Sequence, residues 1–103
     1  MSGPGAQEHP TPTPAYRGDK DGLLKRLRRI EGQVRGVGRM VEEERYCIDV
    51  VTQITAIEAA LDKVALGLLE DHAQHCVIGG DPHGQEERTI ELMAAVKRLL
   101  RHG

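Results

Sequence analysis

Apolar residues recur along most of this chain at helical intervals. Leu23, Leu24, Leu27, Ile30, Val34, Val37, Met40 and Val41 follow the i, i+3, i+4, i+7 template of an amphipathic helix. Asp19 or Asp21 is a suitable N-cap, so a first helix is expected from there. Gly32, Gly36 and Gly38 each weaken it by roughly 1 kcal/mol relative to alanine. Gly32 and Gly36 share a face, which predicts close approach of a second helix. The acidic EEER run at 42–45 is the expected turn. A long second helix follows from about Tyr46 to Cys76, free of proline, with Val50, Val51, Ile54, Ile57, Leu61, Val64, Leu68 and Leu69 inward. Gly79-Gly80-Asp81-Pro82-His83-Gly84 breaks the pattern. A third helix is expected from about Gln85 to Arg101, with Ile90, Met93, Val96, Leu99 and Leu100 inward.

The fold class this predicts is all-α, a three-helix protomer. Residues 1–17 hold four of the five prolines and no apolar periodicity, so they read as a disordered tail ahead of one helical domain at 18–103. The chain has no Phe, no Trp and only two tyrosines, Tyr16 and Tyr46, so the core must be aliphatic. At 103 residues with so many small apolar side chains, part of that core is expected to lie between subunits.

Net charge is −2, but it is unevenly spread. Residues 17–39 carry eight Lys or Arg against three acids, a local +5, which leaves −7 for the rest. Lys25, Arg26, Arg28, Arg29, Arg35 and Arg39 lie between the apolar positions of the first helix and form a candidate phosphate-binding surface. Such contacts position a protein on DNA without reading its sequence. There is no signal-peptide pattern and no membrane-spanning apolar run, so the expected partner is not a membrane. Two cysteines without a secretory signal point to reduced thiols and a cytoplasmic setting.

Those thiols carry the candidate chemistry. His72 and Cys76 are four residues apart on the second helix and project from one face, a two-donor half-site. Cys47 lies 25 residues before His72, roughly 37 Å away along an unbroken helix at 1.5 Å per residue. One chain cannot close such a site. Two antiparallel copies can, with Cys47 of one meeting His72 and Cys76 of the other at both ends. Their crossing near Ala59, Ala60 and Leu61 offers small residues for close packing. The spacing therefore predicts a dimer with two symmetric inter-subunit sites. Two thiolates and one imidazole suit Cu(I). Zn(II) would seek a fourth donor, for which His75, His83 and Glu91 are candidates. A catalytic Cys–His pair lacks a pocket and oxyanion donors in this sequence, so no enzyme is expected.

The segments RLRRIEGQVRGVGRMVEEERYCIDVVTQITAIEAAL, LLEDHAQHC and IELMAAVKRLL resemble the copper-sensing operon repressor (CsoR) family of bacterial transcriptional regulators, over roughly residues 18–101. The resemblance implies Cys47, His72 and Cys76 as trigonal Cu(I) ligands shared between protomers. It also implies Tyr46 and Glu91 as hydrogen-bonding partners around them, and Arg26 and Lys63 as operator-binding positions. The implied fold is an antiparallel four-helix-bundle dimer that pairs into a tetramer, without a helix-turn-helix. The implied function is repression of copper-resistance genes by the apo form and release of double-stranded operator DNA on Cu(I) binding.

The nickel- and cobalt-sensing branch of that family adds a histidine near the start of the first helix and replaces the final cysteine. Here those positions read Pro14-Ala15-Tyr16 and Cys76, which favours copper. The persulfide branch lacks the histidine, and the formaldehyde branch lacks the final cysteine. Two other readings compete: a Cu(I)-buffering protein that never touches DNA, and a thiol-redox or persulfide-responsive repressor.

Overall fold

A computed structural model of the chain describes residues 15–102. A 3-10 turn at Ala15–Asp19 leads into α1 (Lys20–Glu42). After a tight turn, α2 (Cys47–His72) runs back antiparallel and continues directly into a π-turn at Ala73–Ile78. A loop then leads to α3 (Gln85–His102), and no strand occurs among the described residues. The shortest of the three α-helices is 18 residues, so no short recognition helix stands out among these elements. Residues 1–14 of the expected tail lie outside the described residues. Residues 15–17 are not tail in the structure: they form the start of the 3-10 turn, where Tyr16 lines a cleft with residues of α2 and α3.

The α1–α2 turn is closed by three backbone hydrogen bonds. Glu43 N–H donates to Arg39 O (2.9 Å), Glu44 N–H to Val41 O (3.0 Å) and Arg45 N–H to Met40 O (2.9 Å). The last two form a Schellman-type cap, and Glu44 takes the left-handed conformation it requires (φ 56°). The reversal leaves Tyr46 as N-cap of α2.

The core sits along the α1–α2 seam. Ile30 of α1 meets Ile57 and Val64 of α2, flanked by Leu23, Leu27, Val37, Ala60 and Leu68. Only one further side chain, Val77 in the π-turn, is buried among the described residues. Met40, Val50, Leu69, Val96 and Leu99 are half-buried, and part of the expected inward set is open. Val34 and Val41 on α1, Val51, Ile54 and Leu61 on α2, and Ile90, Met93 and Leu100 on α3 are all exposed. Helical periodicity marks which positions want to leave water, not whether the partner belongs to the same chain. The expected close approach at Gly32 and Gly36 is also absent within the protomer. A Cβ there would meet only the guanidinium groups of Arg35 and Arg39, at 3.8 and 3.7 Å.

The resulting body is long and thin, 55 × 33 × 23 Å. Its radius of gyration is 17.7 Å, against about 13 Å for a compact domain of 100 residues. A lone protomer with this shape and this little buried apolar surface is an incomplete fold.

Candidate metal centre and basic surface

Cys47 opens α2 and His72 closes it. At about 100° and 1.5 Å per residue, the two side chains leave the helix within about 20° of each other and roughly 37 Å apart. Between them on the same stripe lie Val51, Ile54 and Leu61, which are 55%, 41% and 44% exposed. The helix thus offers an open apolar face with a soft donor at either end. Cys76 follows in the π-turn, half-buried, and both thiols are free. Among the described residues of one chain, no three potential metal donors come together, as the spacing requires.

His72 and Cys76 do share a cleft, with His75, Asp81, Arg88 and Glu91 around it. His72 Nε2 lies 4.0 Å from Glu91 Oε1. This is longer than a hydrogen bond, so the two side chains face each other without being joined. Glu91 is thus an α3 carboxylate beside this imidazole. Of the other candidate donors, His75 is in the cleft and exposed. His83 is not: it sits in the exposed loop, where its backbone N–H donates to Asp81 Oδ1 (3.0 Å). Tyr46 is 70% exposed beside Cys47, at the opposite end of α2 from His72, so it can join that histidine only across two chains.

Two residues near the site were not singled out from sequence. Tyr16 lines an apolar cleft with Leu68, Leu92, His72 and Glu91, which brings the chain's N-terminal turn against the histidine. An aromatic residue two positions after the last proline of the tail was the available signal. Arg88 donates to backbone carbonyls around Cys76, and nothing in the sequence distinguishes it from a solvated helix arginine.

The basic residues do not form one stripe. Arg26 and Arg29 of α1 line a cleft together with Lys63 of α2 and Gln33. At about 100° per residue, Arg28, Arg35 and Arg39 leave α1 about 180–220° away from Arg26, on the opposite side, and Lys25 lies between the two groups. Arg26 pairs with Asp19 at 3.6 Å and Arg35 with Glu31 at 3.8 Å. All four of these side chains are more than half exposed, so the pairs hold little and leave the cations available to phosphate.

The family profile described as "Metal-sensitive transcriptional repressor" matches residues 19–101. The chain is 52% identical over 90 residues to the copper-sensing transcriptional repressor RicR of Mycobacterium tuberculosis, covering 84% of this chain and 93% of that protein. It is 47% identical over 95 residues to the copper-sensing transcriptional repressor CsoR of Bacillus subtilis, covering 91% and 94%. Among solved structures, the copper-sensing repressor CsoR with Cu(I) from Geobacillus thermodenitrificans superposes with a TM-score of 0.76 at 48% identity, covering 90% of this chain and 98% of that one.

Proposed function

The chain belongs to the metal-sensitive transcriptional repressor family, and from that premise we propose that it is a Cu(I)-responsive repressor of copper-resistance genes. In this reading the apo form holds double-stranded operator DNA and Cu(I) binding releases it, as befits relatives that are copper-sensing repressors. It is a regulator rather than an enzyme. Acting on operator DNA, it works in the cytoplasm.

One observation carries the metal assignment. Cys47 and His72 stand at opposite ends of one open apolar stripe, with Cys76 beside His72. Antiparallel packing of two such stripes covers the exposed Val51, Ile54 and Leu61. It also brings Cys47 of one protomer to His72 and Cys76 of the other, twice by symmetry. The exposed apolar positions of α3 leave surface for a second pairing into a tetramer. Two thiolates and an imidazole fit Cu(I), a soft ion content with three donors.

When bound, Cu(I) supplies a link between the thiolates and imidazole of two chains. The protein's own residues do the rest. Glu91 orients His72 from α3, as ligand histidines generally need through their second nitrogen. Tyr46 contributes from the partner's α2 start. Arg26, Arg29 and Lys63 hold phosphates on the α1–α2 surface, with Lys25, Arg35 and Arg39 extending it around α1. Linking α2 termini across the interface alters how the two chains' basic surfaces are spaced. A coupling of this kind is reciprocal and is typically about 1–3 kcal/mol.

The test is an anaerobic Cu(I) titration of the reduced protein on a labelled fragment from upstream of its own gene, at fixed salt. Release at one copper per protomer is the expected result. Copper binding with unchanged DNA affinity would instead identify a buffering protein. Release by thiol oxidants or persulfide but not by copper would identify a redox sensor.

The cleft-side cations give a separate prediction. Lys63→Gln and Arg26→Gln are each expected to weaken DNA binding by the apo protein and to flatten the slope of log affinity against log salt by about one per charge per bound copy. Lys97→Gln, exposed on α3, serves as the control. An equal loss from that variant would place the DNA elsewhere.

A further inference from the structure

The end of α2 is built differently from the end of an ordinary helix. The last six residues, Ala73–Ile78, widen into a π-turn, and Gly79 N–H closes on Gln74 O at 2.9 Å. Helix termini leave carbonyl groups without partners, and wide turns of this kind are rare and frequently found at functional sites. Here the partners come from α3. Arg88 Nε donates to Cys76 O at 2.6 Å, and Gln85 Nε2 donates to Val77 O at 2.9 Å. The same guanidinium donates to His83 O at 3.1 Å and to Asp81 O, so one side chain ties Cys76 to the loop that follows it.

The loop is shaped to allow this. A Cβ on Gly80 would stand 2.6 Å from Cys76 O, and Gly84 turns the chain with a left-handed φ of 80°. Arg88 is half-buried, its charge lies at the negative end of α2, and a planar fork with several donors is what three carbonyls require. One helical turn further along α3, Glu91 faces His72. A single face of α3 thus holds the backbone of one donor residue and faces the side chain of the other.

We infer that Arg88 is a positioning residue. It touches neither the Cys76 thiol nor the His72 imidazole, but fixes the π-turn that sets their separation and fastens that pair to α3. This rests on the copper-site reading given above. Removing Arg88 leaves the part-buried Cys76 carbonyl without its partner, unties the exposed Asp81 and His83 carbonyls, and frees the turn to relax toward an ordinary α-helical end. The thiol at Cys76 then rotates relative to His72, while Cys47 at the far end of α2 is unaffected. Motion at the pair no longer reaches α3, so metal occupancy and DNA affinity come apart.

The experiment compares the parent, Arg88→Met and Arg88→Lys as full-length apo proteins. Oligomeric state and helicity are recorded first. Cu(I) is then competed against a chromophoric chelator, the Cu(I)-loaded forms are measured by X-ray absorption, and operator affinity is measured with and without the metal. For Arg88→Met the expectation is parent-like DNA binding by the apo protein, Cu(I) affinity lower by about tenfold or more, fewer or longer sulfur contacts, and a smaller change of DNA affinity on loading. Arg88→Lys, which keeps the charge but not the fork, should recover only part of this. If Arg88→Met does not assemble, Arg88→Lys carries the test alone. Parent-like copper affinity, coordination and coupling in whichever variant assembles overturn the inference. Cys47→Ala and His72→Ala run in parallel separate the two levels. If they also leave copper binding unchanged, the copper site itself is misassigned; if they lower it, only the role of Arg88 falls.

Discussion

Cys47→Ala is expected to abolish Cu(I)-dependent release of operator DNA while leaving apo-protein DNA binding within about twofold of the parent, as exposed substitutions usually do. Cys47 is exposed at the first position of α2 and makes no side-chain hydrogen bond among the described residues, so its removal costs the protomer little. In the paired form proposed above it would be the one donor that comes from the opposite chain. Without it, His72 and Cys76 still offer a two-donor site, but nothing in that site spans the interface. Copper affinity should fall by more than the roughly 10- to 100-fold that losing a supporting contact costs a metal site. Release should vanish altogether, because it depends on the link and not on occupancy. Fluorescence anisotropy of labelled operator, with free Cu(I) buffered by a competing chelator, reads both quantities. Release that survives in Cys47→Ala would mean that the coupling runs inside one protomer.

The second large effect concerns the apolar stripe between the donors. Ile54→Glu places a carboxylate where the antiparallel pair would exclude water, and two-fold symmetry places it there twice. Burying an unpaired charge costs several kcal/mol per ion, which exceeds what a small interface of this length can absorb. The variant should sediment as a monomer at concentrations where the parent is assembled, lose helicity and bind neither copper nor DNA with parent-like affinity. Ile54→Leu, matched in volume, should behave as the parent. A stable, assembled Ile54→Glu protein would show that this face is free and that the chains pair elsewhere.

Much of this fold could be read from the residues in order. The three helices lie where periodicity and the Gly79–Gly84 breaker put them, within a residue or two at most ends. The turn at Glu43–Arg45 follows from the acidic run that interrupts the apolar pattern. The π-turn could not be read that way. A continuous helix to Cys76 has the same hydrophobic pattern, and the widening is set by hydrogen bonds to Arg88 and Gln85, which are distant in sequence from its start. Burial was misread for a different reason. Val51, Ile54 and Leu61 have the spacing of core residues, yet the surface that could cover them is absent from a single chain. Tyr16 was read as tail because proline density outweighs one aromatic, whereas it lines an apolar cleft beside Leu68 and Leu92. The proposed donors Cys47, His72 and Cys76 can be named from residue types and spacings alone. That Glu91 faces the histidine depends on how α3 folds back, and spacing carries no trace of it.

The small buried core also bears on how much repressor a cell can hold. The described residues of a newly made chain bury only four apolar side chains and leave long uncovered faces, so before pairing it is open to proteases and to capture by chaperones. In the assembly proposed here, survival of a chain depends on meeting another, and the surviving amount rises more steeply than the rate of synthesis when chains are scarce. Degradation would then remove unpaired chains, which lack a complete metal site. The pool that reaches promoters would consist of molecules already able to respond.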